Sequence, residues 1–414
     1  MASPTTTPRS PVFLARQPIL DGTGRVRAYE LLYRTTDEGP GRASSTADAA
    51  TARVLHGAIM SLGLDAFSPD RPAFINLTRN LLLGDLAEML PKDSVVFEVL
   101  ETVDADREVI EACRRLHASG HTLALDDFVP GSSAEELLPY VKYLKVDVRA
   151  IAADTRRRLI ASAPDHLTFL AEKVETADEF AATTAEGFTL FQGYYFCRPT
   201  TVRTHDISGG AVASLRILEA VNRPSVTLAE LDDIIRRDAS LAQRVLRYAN
   251  SAAVGRRQTT GSIRQALLVV GLDQIRRWVS VWSLAGLGAS HVPEVMTMAV
   301  VRARCCERLG AAVLGEDQSG ECFVLGLCSL LDVLLGGPME DVLKVLSLPD
   351  ESVHALTGGR NTRREVLDAV VAYERGQWPA VQQLCADLRI RSADLAEFHA
   401  DATRWAGELT NARG

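Results

Sequence analysis

The sequence predicts two architectures in one chain, an α/β barrel with a mostly parallel sheet followed by an all-α helical bundle. Three observations carry this. As far as Pro199, short apolar runs alternate with amphipathic helical stretches at the pitch of βα units. Those runs end, one after another, on a polar or charged residue. Past Pro199 the strand signals fade and only helical periodicity remains.

The chain has 414 residues, room for two or three domains each with its own core. An apolar fraction of 47% and a charged fraction of 24% describe ordinary globular protein. A net charge of -8 argues against a general nucleic-acid binder and against an anionic-membrane protein. The seven cysteines are scattered, with no CxxC pair and no metal-finger spacing, which reads as reduced thiols in the cytoplasm. The adjacent Cys305-Cys306 reads as part of a buried helix face. Met1–Pro11 is Thr/Pro/Ser-rich, lacks the apolar core of a signal peptide and reads as a loose tail. Asp332 breaks the most apolar segment, so no run of about twenty apolar residues is available to span a membrane. The expected boundaries are a flexible tail at 1–10, the barrel at 11–200, a linker at 201–210 and the helical domain at 211–414.

Val12–Leu20 and Val26–Tyr33 flank Asp21-Gly22-Thr23-Gly24, a hairpin signal. Ala47–Leu62 then carries helical periodicity. The strand candidates that follow are Ala73–Leu77, Val95–Leu100, Thr122–Leu125, Val141–Val146, Leu167–Ala171 and Phe188–Phe191. Helical stretches such as Asp104–Ser119 and Ala177–Ala185 separate them. Six βα units after an opening hairpin are enough to close a TIM-like (β/α)8 barrel.

The strands end, in order, on Asn76, Glu98, Asp126 with Asp127, Lys145, Glu172 and Gln192, with Glu30 on the opening pair. In a βα barrel these ends converge on one face, where active sites form. Alone, one aspartate of Asp126-Asp127 reads as a helix cap and the other as solvated. The shared register is what packing does not explain. Adjacent carboxylates repel each other in a low-dielectric site and persist only with a cation between them. Glu30, Glu98, Asp126, Asp127 and the Asn76 amide make an all-oxygen set suited to Mg2+, Mn2+ or Ca2+ rather than zinc. Two such ions about 4 Å apart suit phosphodiester chemistry. Lys145 is placed to hold a water and Glu172 to take its proton, with a pKa raised by neighbouring anions or lowered by metal. Arg34, four residues after Glu30, suits a substrate phosphate.

The chain here resembles the EAL-domain phosphodiesterases of cyclic di-GMP signalling, over roughly Arg16–Pro199. The marks are RQPI (Arg16–Ile19), ELLYR (Glu30–Arg34), FINL (Phe74–Leu77), EVLE (Glu98–Glu101), DDF (Asp126–Phe128), LKVD (Leu144–Asp147), EKVET (Glu172–Thr176) and QGYYF (Gln192–Phe196). The resemblance implies metal ligation by Glu30, Asn76, Glu98, Asp126 and Asp127. It implies that Lys145 and Glu172 serve the catalytic water, that Glu175 and Gln192 support the site, and that Glu101 braces the loop after Asp127. Gln17, within RQPI, joins Arg34 on the substrate side. The chain departs from the family at DDFVPGSS, where the family reads DDFGTGYSS. It also carries Lys173 in place of a glycine, beside the proposed base.

Beyond the polar stretch Thr200–Gly210, helices are expected at Ala211–Val221, Leu228–Arg237, Ala239–Ala252, Ser262–Leu272, Gln274–Leu287, Pro293–Leu309, Glu321–Leu335 and Met339–Leu346, then weaker ones to Glu408. Ser262-Ile-Arg-Gln265 is a capping-box pattern. NSAAVG (Asn250–Gly255), SIRQALLVVG (Ser262–Gly271) and GLCSLLDVLLG (Gly326–Gly336) resemble an HDOD domain, a relative of the HD phosphohydrolases. The metal-binding His-Asp pair of working HD domains is here Leu331-Asp332. The histidines at 205, 291, 354 and 399 are far apart and read as surface or cap residues. The basic residues Arg256, Arg257, Arg264, Arg276 and Arg277 read as a solvated face, and Trp278 and Trp282 as core.

Two functions follow from the resemblance, for a bacterial signalling protein. One is hydrolysis of cyclic di-GMP to pGpG at a two-metal Mg2+ or Mn2+ site, with the bundle as interaction or output domain for an unidentified protein partner. The other is a receptor or scaffold without turnover. Whether the barrels pair as a homodimer stays open.

Overall fold

The computed structural model describes residues 12–35, 68, 71–84, 87–193, 209–223, 226–250, 260–285, 293–335, 338–344, 346 and 348–411. The tail and the expected helix at Ala47–Leu62 lie outside them. Eight strands close a barrel in sequence order: β1 (Val12–Asp21), β2 (Val26–Thr35), β3 (Ala73–Leu77), β4 (Val95–Val99), β5 (Thr122–Leu125), β6 (Tyr143–Asp147), β7 (Thr168–Glu172) and β8 (Leu190–Phe191). Strand β1 is antiparallel to both neighbours and every other pair is parallel. The β1–β2 hairpin turns where the sequence indicates. The Gly24 amide donates to the Asp21 carbonyl at 2.9 Å, with Gly24 at φ 75°.

Most strands begin or end one or two residues from the sequence expectation, and at two of them the cause is visible. Strand β6 begins at Tyr143 rather than Val141, because Val141 ends the 3-10 stretch Ser133–Tyr140. Strand β8 is shorter than Phe188–Phe191, because the Phe188 amide donates back to Thr183 of the preceding helix. Around the sheet lie α1 (Arg79–Leu83), α2 (Arg107–Ala118), α3 (Ala153–Ser162) and α4 (Ala177–Glu186). Asp106 caps α2 by accepting from the Glu108 and Val109 amides, and Thr176 and Glu179 form a full capping box on α4.

Strand alternation sorts the apolar residues into two layers. Ile75, Phe97, Leu123, Leu144 and Ala171 face outward, in one cluster with Val109, Ala112 and Leu116 of α2. Ile19, Ala28, Phe74, Val96, Ala124 and Leu170, with Tyr143 and Leu190 packed against them, fill the barrel interior with one residue from each strand. This inner ring sets the height at which the site is built.

The chain divides into two compact units. The first joins residues 1–198 to 369–404, and the second comprises 199–368 and 405–414. In the first unit, His399 is buried with its ring 4.7 Å from that of Tyr373, which corrects its reading as a surface or cap residue.

In the second unit the helices include Leu272–Ala285, Pro293–Leu314, Glu316–Cys328 and Leu331–Leu335. The helix expected over Glu321–Leu335 is thus two, parted at Ser329, whose hydroxyl donates to the Gly326 carbonyl and accepts from Arg302. Gly326 lets the helices meet closely: a Cβ there would lie 2.7 Å from the Ala303 Cα. Cys305, Cys306, Trp278 and Trp282 are buried as read. Arg277 is not part of a solvated face. It pairs with the buried Glu307 at 2.6 Å, and Arg304 meets the same carboxylate at 2.7 Å. Ser262 accepts from the Gln265 amide, half of the capping box read there. Among the described residues no helix is long and apolar enough to cross a membrane.

Candidate active site

Strand alternation builds the site directly on the inner apolar ring. Two residues beyond Ala28, Phe74, Val96, Ala124, Tyr143, Leu170 and Leu190 stand Glu30, Asn76, Glu98, Asp126, Lys145, Glu172 and Gln192. Strand β1 runs the other way, so its step from Ile19 leads back to Gln17, and Gln17 pairs in register with Glu30. One polar side chain per strand therefore forms a second ring at the C-terminal end of the parallel strands.

The hydrogen bonds show that this ring is assembled. Lys145 lies at its centre, only 1% exposed, with Nζ 2.7 Å from Asp126, 2.9 Å from Glu98, 3.0 Å from Glu172 and 3.3 Å from Glu30. The Asn76 amide donates to Glu30 Oε1 at 3.3 Å. Gln192 Nε2 donates to Glu30 Oε2 at 2.5 Å and to Gln17 Oε1 at 3.0 Å. An ammonium has three hydrogens. Lys145 donates hydrogen bonds to Glu30 and Asp126, and Glu98 and Glu172 lie in ion-pair contact with the same ammonium.

One cation does not balance four buried anions, and the acids respond. Burial pushes Glu98 well above the usual carboxylate range, aided by the charge of Glu30. Burial raises Glu172 to about 8 and also raises Asp126, against the pull of Lys145. Only Glu30 stays below its ordinary value: burial pushes it up, but Lys145, Gln192 and Asn76 outweigh that. Burial would lower Lys145, and the surrounding carboxylates raise it instead.

Asp127 stands apart from this knot. Its backbone has φ 40°, and its carboxylate is met by Lys173 Nζ at 3.2 and 3.3 Å. The sequence places Lys173 next to Glu172. The structure turns it away, at φ 58°, onto Asp127 and onto Asp147 Oδ2 at 2.6 Å. Asp147, at the end of β6, anchors this contact, since its Oδ1 accepts from the Arg149 and Ala150 amides. Asp147 was missing from the residues singled out by sequence. Its signal is its place two residues past Lys145, at the end of the same strand.

Glu175 pairs with Arg149 at 3.0 Å. The expected brace from Glu101 to the loop after Asp127 is replaced. Glu101 is exposed, and Glu135 Oε1 accepts from the Gly131 amide at 2.7 Å. Gly193 fastens the Glu172–Glu175 segment to β8: at φ 145°, a Cβ would fall 2.3 Å from the Val174 carbonyl oxygen. Arg34 lies in β2, and its side chain is outside the described residues.

The donor chemistry fits a hard divalent cation. All candidate ligands present oxygen, and Glu98 Oε2 and Glu172 Oε2 are buried without a hydrogen-bond partner. Among the described residues no three acidic, histidine or cysteine side chains close on an ion-sized point. The carboxylates close on the Lys145 ammonium instead, with second oxygens still available. In the helical half, no metal-holding group occurs among the described residues either.

Comparison with known proteins agrees with this architecture. The EAL domain family matches residues 9–199 and the HDOD domain family residues 211–334. The chain is 31% identical over 411 residues to the uncharacterized protein YuxH of Bacillus subtilis, covering 97% of this chain and 100% of that protein. It is 30% identical over 402 residues to the cyclic di-GMP phosphodiesterase CdgJ of Vibrio cholerae, covering 96% and 93%. Among solved structures, Klebsiella pneumoniae BlrP1 in its calcium/cyclic di-GMP complex is similar at 26% identity and TM-score 0.38, over 48% of this chain and 58% of that one. The chain belongs to the EAL-domain cyclic di-GMP phosphodiesterase family, with an HDOD domain after its EAL domain.

Proposed function

We propose that the barrel hydrolyses cyclic di-GMP to linear pGpG with Mg2+ or Mn2+, and that the HDOD half acts as an interaction or output domain for a protein partner. The observation that carries this reading is the polar ring, one side chain per strand, with four carboxylates gathered on one buried lysine. Glu30, Asn76, Glu98, Asp126 and Asp127 would hold the metal. Once bound, it would polarise the phosphate and lower the pKa of the attacking water. Glu172, a strand-end carboxylate buried 3.0 Å from Lys145, would take the proton of the attacking water on a carboxylate oxygen in its ionised form, which the positive charge of a bound cation favours over the raised value of the metal-free pocket. Lys145 fixes the four carboxylates and offsets part of their charge. Gln192 and Gln17 hold Glu30 in place, Arg149 restrains Glu175, and Arg34 and Gln17 serve the substrate.

The test is to incubate the purified chain with cyclic di-GMP and Mg2+ or Mn2+ beside a Glu30→Ala control and follow the linear dinucleotide. Product from wild type alone supports the enzyme. A second reading, in which the barrel binds the nucleotide without cleaving it, is favoured by the Lys173 contact on Asp127. Saturable binding without product would select it, and neither binding nor product would leave the scaffold role.

A further inference from the structure

We propose that Lys173 is a resident cation at the Asp127 side of the pocket, taking the place of a second divalent ion, so that the chain holds one such ion tightly rather than two. This rests on reading the pocket as a divalent-metal site and deepens that reading.

Adjacent carboxylates at one strand end need positive charge close to each. The structure supplies a lysine to each: Asp126 has Lys145 at 2.7 Å, and Asp127 has Lys173 at 3.2 and 3.3 Å from its two oxygens. The two lysines are not equivalent. Lys145 is shared among four carboxylates and leaves Glu98 Oε2 and Glu172 Oε2 buried without a hydrogen bond, so an ion can enter beside it. Lys173 lies against both oxygens of Asp127 and is tethered from behind by Asp147 at 2.6 Å. An ion approaching Asp127 meets an ammonium at contact distance; Lys173 is half-exposed, so water screens the repulsion in part, which sets the expected effect at about tenfold in affinity rather than complete exclusion.

The backbone supports the same assignment. Lys173 holds φ 58°, a left-handed conformation that glycine adopts freely and a lysine adopts at a cost. The side chain that bears this cost is the one that reaches Asp127 and Asp147. Because the backbone there already suits glycine, Lys173→Gly removes the charge without straining the chain, and Lys173→Met removes it while keeping most of the stem.

The experiment is calorimetric titration of the metal-free full-length chain with Mn2+, with free Mn2+ counted in parallel by electron paramagnetic resonance. Wild type is expected to bind one Mn2+ tightly. Lys173→Gly and Lys173→Met are both expected to bind two, or to bind the second at least tenfold more tightly than wild type. Agreement of the two variants assigns the effect to the charge. Two equally tight ions in wild type, or variants that titrate like wild type, overturn the proposal and leave the metal site standing. No Mn2+ bound by any of the three overturns the metal reading, and the proposal with it.

Discussion

Lys145→Met tests the electrostatic account of the pocket. The substitution keeps a similar volume and removes the ammonium from the midst of four carboxylates within 3.3 Å, of which Glu98 is fully buried. Removing one partner of a buried ion pair costs about 3–5 kcal/mol, because the other charge is left without compensation. For a domain of this size, roughly 2–4 °C of melting temperature per kcal/mol gives a fall of about 6–20 °C near pH 8. The loss has a pH signature. Glu172, raised to about 8, and Glu98 and Asp126, also raised, bind protons in the folded chain that the unfolded chain has already released. A raised folded-state pKa contributes stability that is present at low pH and is lost as pH rises through that value. Acidification therefore rescues the variant, whose carboxylates become neutral and no longer need the lysine. The assay is thermal unfolding of metal-free protein at about pH 5.5 and pH 8, followed by circular dichroism. We expect the difference from wild type at the lower pH to be under half that at the higher. An equal loss at both would show that Lys145 acts through packing, and would refute the charge argument.

Gly193→Ala should destabilise the barrel by about 1–3 kcal/mol or more through overpacking, since the new Cβ would fall within 2.5 Å of the Val174 amide and carbonyl; urea denaturation measures it. Arg156→Met should cost about 3–5 kcal/mol in the same assay, because it leaves the buried Glu186 without its two-pronged partner at 2.7 Å. His399 is held near 3 by burial and by the charge of Arg16, so the folded chain stays neutral there while the unfolded imidazole protonates below about 6.5. That contribution is present above about pH 6.5 and is lost as pH falls towards 3. His399→Phe should remove about 2–3 kcal/mol of the stability difference between pH 7 and pH 4.5, and an unchanged acid limb would sink the assignment.

The barrel was legible because its interior obeys a strict period of two, and a polar residue one step past an apolar one marks the inner face at each strand end. Glu98 after Val96 and Lys145 after Tyr143 show the same step. Helix α3 was not legible. Its sequence ADTRRRLIAS has little apolar periodicity, and its buried residue is Arg156, held by Glu186 thirty positions on. A helix fixed by a charge gives no hydrophobic signal. The orientation of Lys173 was hidden for another reason. Sequence adjacency placed it at Glu172, and only the left-handed turn sends it to Asp127. The Glu135 brace is illegible in sequence because the loop takes its partner from the 3-10 stretch that follows, within four residues, and not from the distant Glu101.

The ring of polar residues also closes the barrel. Strands β1 and β8 pair in register at only two positions, Leu20 with Phe191 and Asp21 with Leu190, so the seam has little ladder of its own. Gln192 lies just past β8 and bonds Gln17 on β1 and Glu30 on β2, tying three strands together across the antiparallel one. Glu30 in turn reaches Lys145 on β6, and Lys145 reaches β4, β5 and β7 through Glu98, Asp126 and Glu172. The groups proposed to hold metal are thus the groups that connect opposite walls. Their positions are fixed by the apolar ring beneath and by one another before any ion arrives, which is the preorganisation that a site of fixed charges requires. The same wiring means that a substitution at Glu30 or Lys145 acts on the seam and on the chemistry together. The effect on chemistry is separable only by comparing activity with stability in the same variant.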